Sequence, residues 1–538
     1  MNQSTLFLMK LKRILLYVTL CVSSFCENSL ATAQTFQTDH LKIGWASTDI
    51  TPSRPVLIAG QFYARVSEGV KDPVTATALA IESIKRGKSS KAMMITCDLV
   101  SIPDGMRDAS NLRDRVRDLL QDLSPALQPE DIMINATHTH AAPYVNTSDV
   151  EKLYGITLDM MAPGKNVMPP SEYLEFAATK IAGAARQAWK SRKKGGVSYG
   201  LSKAVIGHNR LQSLESGKSV MYGQTNTPEF SHIEGYENHD LNLLYTWDEK
   251  SQLTGVVINA AIPAQVSEHF YELSADFWAD TRQLLKEKLG ANLYVLAQVS
   301  TAGDQSPHVM WGARAEERMQ KLMQIDAEGL GRGSMGQRKY IAHQISSGVE
   351  AILPYMEKNI VWNPVFKHKT ELISLSRRLL EQADLENAKL DIVKWGKIYH
   401  DLLAEAKANP AKKQTPRWYT KITESHSHYR RGQSVLERYE LEKVQPKLAV
   451  EVHVLRIDDM ALASNPFELY LDYGIQIITR SAATQTFLVQ LAGAGTYLPT
   501  KRSIAGGAYG AVPASTIMGP EGGKELVEAT LKLINSMW

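Results

Sequence analysis

Five short apolar runs, at 92–97, 132–136, 255–261, 293–299 and 448–455, are bounded by polar or turn-forming residues and predict buried strands. Between them the apolar positions change to a helical period. The stretch 108–123 sets Leu112, Val116, Leu119 and Leu120 on one face, and 172–189 does the same with Phe176, Ile181, Ala184 and Ala185. Stretches 275–289 and 334–356 follow the same pattern. Strands alternating with helices predict an α/β (α+β) fold, a mixed β-sheet core with flanking helices. No internal repeat is visible.

One region breaks the alternation. Residues 377–440 are rich in charge and helix formers, and Asn409-Pro410-Ala411 divides them into two helices. They predict a helical hairpin inserted between a first part of the core, 34–376, and a second part, 441–538. A solvated arm is the plainer reading of such an insertion. A wall or lid over a site is the other, with Trp395, Trp418, Tyr419 and Tyr429 as contacts.

Composition adds exclusions. The 538 residues are 44% hydrophobic and 22% charged, enough for a large core without staples. Formal net charge is +3, and Lys10, Lys12, Arg13 and Glu27 account for +2 of it. The remainder is close to neutral, which argues against a nucleic-acid partner. Residues 1–33 have the layout of a secretory signal: a basic start, the apolar run 14–25, then Ala31-Thr32-Ala33. The expectation is export to a periplasm or beyond, a mature chain beginning at Gln34, and no membrane-spanning segment after cleavage. Cys97 then stands alone in an apolar run, which predicts a buried, inert thiol.

Three strand ends carry polar residues that suit chemistry. After 132–136 comes Thr137-His138-Thr139-His140; in extended chain His138 and His140 face one space, suiting a metal ligand beside an acid/base. After 293–299 comes Gly303-Asp304-Gln305-Ser306-Pro307. Its Gly303 permits a tight turn, and Ser306 is a nucleophile, a substrate contact or a loop anchor. A third strand runs into Asn465-Pro466-Phe467-Glu468, with Glu468 predicted in the first turn of a helix over 468–482. The helix dipole alone explains a carboxylate there, and reach toward a metal is the alternative.

Together these pieces resemble the neutral (non-lysosomal) ceramidases. Ile43-Gly44 through Asp49-Ile50-Thr51-Pro52, the THTHAAP, GDQSP and NPFE segments, and Gly495-Thr496-Tyr497-Leu498-Pro499-Thr500 stand in that family's order. The resemblance spans about 41–520, the hairpin apart, and concerns the family's N-terminal catalytic domain as a distant member. It implies a zinc amidase. His138 matches a metal histidine, Glu468 the metal carboxylate and Tyr497 a tyrosine that completes the site. His140 matches the histidine facing the substrate, and Ser306 the serine of the GDxSP loop. Asn209-Arg210 resembles a dipeptide whose arginine binds the developing oxyanion, so Asn209 and Asp304 are expected near substrate. The chain departs from the pattern where a further metal histidine stands in an ACHP-like segment. Here it reads Asn259-Ala260-Ala261-Ile262-Pro263-Ala264-Gln265, leaving His269 or Gln265 for that place.

The reading implied is a Zn2+-dependent hydrolase of an amide or ester bond, acting on a small-molecule, lipid or oligosaccharide substrate. His140 would shuttle the proton, and Arg210 would stabilise the oxyanion. The alternative is a carbohydrate-active hydrolase or lyase (dehydratase) acting on uronic-acid-containing oligosaccharides. The balance of 21 Tyr and 9 Trp against 11 Phe suits sugar stacking. A non-catalytic binding protein is the third reading.

Overall fold

A computed structural model describes residues 39–538, so the signal segment lies outside the described residues. The main sheet is built from β1 (His40–Asp49), β2 (Thr75–Lys85), β3 (Lys88–Cys97), β4 (Ile132–Ala136), β5 (Lys193–Lys203), β6 (Asp240–Asp248), β7 (Leu253–Ala260) and β8 (Tyr294–Val299). Their order across the sheet is β8-β7-β6-β5-β1-β2-β3-β4. The pairs β3–β4 and β7–β8 are parallel and the others antiparallel, so the sheet is mixed as the alternation predicts. A second sheet contains β9 (Phe366–Ser376), β10 (Lys447–Ile457), β11 (Met460–Ser464) and β12 (Gln485–Val489) in that order.

The apolar runs are continuous because these strands are covered on both faces. In β3, Met93, Ile95 and Cys97 pack under helices α1 (Leu112–Asp118) and α2 (Pro170–Lys190). Met94 points the other way, into a core shared with Phe366, Leu455, Leu462 and Phe487 of the second sheet. Helices α3 (Phe277–Leu289) and α4 (Met335–Glu357) cover the β6–β8 end of the main sheet. The second sheet's outer face lies under α7 (Leu471–Arg480) and α8 (Pro520–Asn535).

Although β4 and β8 are opposite edges, the main sheet curls until they approach. Trp45 of β1 stacks on Tyr294 of β8 with ring centres 5.7 Å apart, and the Gln298 amide nitrogen lies 3.9 Å from the Met94 sulfur. The loops that follow β4 and β8 therefore open into one space. The 377–440 region forms two helices, α5 (Gln382–Ala408) and α6 (Thr420–Val444), packed against the segment around Tyr154 and Ile156. Among the described residues no helix is long and apolar enough to cross a membrane.

Candidate functional site

Residues 59–62, the loops after β3, β4 and β7, the segments around Arg210, Arg332, Glu468 and Tyr497, and the middle of α6 enclose a cavity of about 580 Å³. His138, His140, Arg210, Gln265, Glu268, Glu468 and Tyr497 line it.

His138 and His140 do not stand on extended chain as expected. The strand stops at Ala136, and His138 takes a left-handed backbone, φ 63°. The turn still brings the rings together, Nε2 to Nε2 at 3.3 Å. Gly60, at φ 99°, packs so closely on the His140 ring that any β-carbon would collide with it. The buried Arg65 guanidinium ties this layer together. It donates to the carbonyls of His140 at 2.6 Å, Glu268 at 2.8 Å, Phe270 at 2.7 Å and Ala59. Arg65 carried no sequence signal, since it sits in no motif.

Glu468 is not in a helix. It lies in a short strand, Glu468–Leu469, paired in parallel with Tyr497–Leu498, and α7 begins only at Leu471. The helix-dipole explanation therefore fails, and the register explains why Glu468 and Tyr497 meet. Gly303 sits in the turn closed by the Gln305 amide on the Ala302 carbonyl at 3.0 Å, and it also allows close approach, because a β-carbon there would lie 2.3 Å from the Glu468 carbonyl oxygen.

Arg210 joins these pieces. Nη1 donates to the Tyr222 hydroxyl at 2.8 Å and to Gln265 Oε1 at 3.1 Å. Nη2 donates to the Gly303 carbonyl at 2.9 Å and to the Tyr497 hydroxyl at 3.2 Å, and lies 3.9 Å from Glu468 Oε2. Burial opposes its charge, but Tyr222, Tyr497 and Glu468 outweigh it and hold the guanidinium protonated. A guanidinium only donates, so it fixes the oxygen of Gln265 toward itself and the amide nitrogen toward His140 Nε2, 2.7 Å away. His140 must meet that amide with a lone pair. Burial, and then the neighbouring His138, lower its pKa to about 3, so the ring is neutral. His138 Nδ1 donates to the Val100 carbonyl at 2.7 Å, which turns its Nε2 toward His140 Nε2 and Glu468. A proton or a cation held at that nitrogen meets both neighbours.

That contact bears on the metal. His138 Nε2 lies 3.5 Å from Glu468 Oε2, and Tyr497 adjoins both Glu468 and Arg210. Burial opposes ionisation of Glu468, yet His138 and Arg210 keep its pKa low. Tyr497 is a neutral phenol, raised well above its ordinary value by burial and then by Glu468. His138 and Glu468 could supply two donors to a divalent metal, with the Tyr497 phenol beside them. The four-donor set does not assemble. His269 has its side chain 67% exposed and lies 3.6 Å from Glu268, and Gln265 turns its nitrogen inward rather than its oxygen. Among the described residues, no three His, Cys, Asp or Glu side chains converge as metal ligands.

Three further expectations are corrected. Ser306 is fully buried behind Tyr222, its Oγ accepting from the phenol at 3.2 Å and from the His308 amide at 3.0 Å; it anchors the loop. Asn209 and Asp304 bond each other at 3.0 Å behind the cavity wall. Asp304 also accepts from the Leu471 amide at 3.0 Å, so the pair holds Arg210 in place instead of touching substrate. Glu268 and His308 escaped the sequence reading. His308 Nε2 lies 3.2 Å from Glu268 Oε1. Burial raises the Glu268 pKa, but the His308 hydrogen bond and His140 bring it down to about 2. The SPH triplet of Ser306-Pro307-His308 was the signal available for this pair.

The hairpin is part of the wall. Arg431 of α6 lines the cavity, whereas Trp395 stacks on His428 with ring centres 4.4 Å apart, and His428 meets the lining residue Phe62 at 4.6 Å. Tyr419 is buried against the backbone of Val66.

No family model and no curated protein matches the chain. Solved structures do. The architecture is that of neutral ceramidase: the Pseudomonas aeruginosa enzyme superposes with a TM-score of 0.60 over 93% of this chain and 75% of that one, at 13% identity. A ceramidase structure described as complexed with C2 gives a TM-score of 0.59 with the same coverage and identity. The chain thus has the distant neutral-ceramidase-like fold that its motifs suggest.

Proposed function

We propose that the chain is an exported hydrolase of an amide or ester bond, with His140 as its general base and Arg210 as its oxyanion partner. The observation that carries this reading is the chain Arg210–Gln265–His140, which locks one tautomer and holds a neutral imidazole lone pair on the Gln265 amide at the cavity wall. A water molecule that replaces the Gln265 amide at that lone pair gives its proton to His140 Nε2 as it attacks the carbonyl. Negative charge then grows on the carbonyl oxygen. The buried Arg210 guanidinium stabilises it by its charge, while its Nη hydrogens hold Tyr222, Gln265, Gly303 and Tyr497 in place. On collapse, the imidazolium returns the proton to the leaving nitrogen or oxygen. Glu268, ionised and held by His308, stabilises that transient imidazolium.

His138, Glu468 and Tyr497 would hold a divalent cation, zinc by its preference for such donors. When bound, it polarises the carbonyl and acidifies water. Turnover of a panel of N-acyl amides and acyl esters, with metal content measured in parallel, tests the scheme. His140→Asn should lower turnover about 10²–10⁴-fold with metal retained. His138→Asn and Glu468→Gln should remove both. Full turnover by His140→Asn would end the proposal.

A further inference from the structure

The cavity carries more positive than negative charge. Arg107, Arg210, Arg332 and Arg431 line it against two carboxylates, Glu268 and Glu468. Arg210 is matched by Glu468. Glu268 is already bonded to His308 and lies 3.9 Å from Arg332. Among the described residues, Arg107 and Arg431 have no carboxylate within 4 Å. The Arg431 side chain donates to the Ser515 hydroxyl at 2.8 Å.

Two of these guanidinium groups are nonetheless held in place. Arg332 lies over the Tyr222 ring, 4.7 Å from its centre, and Arg431 lies 5.2 Å from the centres of both Phe62 and Tyr509. A guanidinium held against an aromatic ring still offers N–H groups to an anion: Arg431 gives one to Ser515 and has others for a carboxylate. Restricting the side chain beforehand lowers the entropy cost of that contact. A neutral N-acyl lipid would leave Arg107 and Arg431 without a carboxylate, and Arg332 with only Glu268 at 3.9 Å.

We propose that the mouth of the cavity is a carboxylate subsite formed by Arg332 and Arg431, with Arg107 adding to the field, so that the substrate carries an acid group beside its scissile bond. This deepens the hydrolase reading and rests on it only for the location of the scissile bond. The carboxylate could belong to a uronic acid or to an N-acyl amino acid, and the probes separate these sources. Binding of a glucuronate-terminated disaccharide and of N-dodecanoylglycine is measured by calorimetry on the full protein, each beside its methyl ester. One acid should bind at least ten times more tightly than its ester, and which one does so identifies the source. Arg332→Gln with Arg431→Gln should erase that preference, and raising NaCl from 50 to 500 mM should weaken the acid but not the ester. The preference should persist in His140→Asn, so a failed hydrolysis assay leaves this test standing. Equal binding of acid and ester for both pairs, or a preference that survives both arginine substitutions, overturns the proposal.

Discussion

The contact between Arg210 and Glu468 makes a quantitative test of how the site is held together. The Arg210 side chain is buried, 2% exposed, that of Glu468 is partly buried, 16% exposed, and their closest charged atoms are 3.9 Å apart. Arg210→Met removes the cation and leaves Glu468 with a smaller share of its compensation. Breaking a buried pair from one side costs about 3–5 kcal/mol, because the remaining charge stays in a medium that solvates it poorly. The Gly303 carbonyl also loses its donor, adding about 1–3 kcal/mol. Glu468→Gln alone removes the only carboxylate within 4 Å of Arg210 among the described residues, a loss of the same order as the first. In the double variant no unpaired charge remains and only the hydrogen-bond loss persists. The double should therefore be less destabilised than the sum of the singles by about 3 kcal/mol. Urea midpoints on chelator-treated protein measure this without a metal on Glu468. Additivity to within about 0.5 kcal/mol would show that the two charges do not support each other, and the electrostatic account of the site would fall.

The other predictions concern packing and acid stability. Gly303→Ala places a β-carbon 2.3 Å from the Glu468 carbonyl oxygen and should cost about 1–3 kcal/mol in urea denaturation; an unchanged midpoint would remove the close-approach argument. His368 stacks on His453 between the two sheets, and burial, then that neighbour, depress its pKa to about 3. The unfolded chain takes up a proton near pH 6.5 that the folded chain refuses until about pH 3. Stability therefore falls as pH drops below 6.5, by about 1.4 kcal/mol per unit for this group. His368→Gln should make the decline shallower by that amount in midpoints taken from pH 7 to 4.5, and parallel curves would refute it.

Legibility in the sequence followed the source of each constraint. Strands β3, β4, β7, β8 and β10 were predicted because burial on both faces forces unbroken apolar runs, and β4 matched residue for residue. Strands β1 and β2 went unmarked. Ser47, Thr48 and Asp49 end β1, and Ala76, Ala78 and Ala80 take small volumes beneath α2, so neither stretch has the density of large apolar residues that marks a buried strand. The helix predicted over 468–482 began three residues late because the chain first pairs with Tyr497–Leu498, a contact between segments that no local pattern encodes. His138, His140, Arg210, Glu468 and Tyr497 were found because each lies in a short motif of chemically distinctive residues. Ser306, Asn209 and Asp304 lie in the same motifs yet face away. The motif preserves the loop as well as the chemistry, and only geometry separates the two.

The charge of the site supplies the last step. A neutral lipid amide needs a polarising centre and an apolar channel, and has no use for surplus arginines in the cavity lining. Here Gln265 stands where the resemblance calls for a histidine, and its amide is oriented by Arg210. The same substitution that weakens a four-donor metal set couples the permanent cation to the base through one side chain. Arg431 enters from a hairpin that lies outside the resembling segments, and Arg332 from the loop before α4. Both additions are cationic, and each is steadied on an aromatic face. The fold is thus shared with neutral ceramidase, while on the proposed reading Arg332 and Arg431 give the cavity lining a common sign. Selectivity for an acid group follows from that sign, whichever way the metal question is answered.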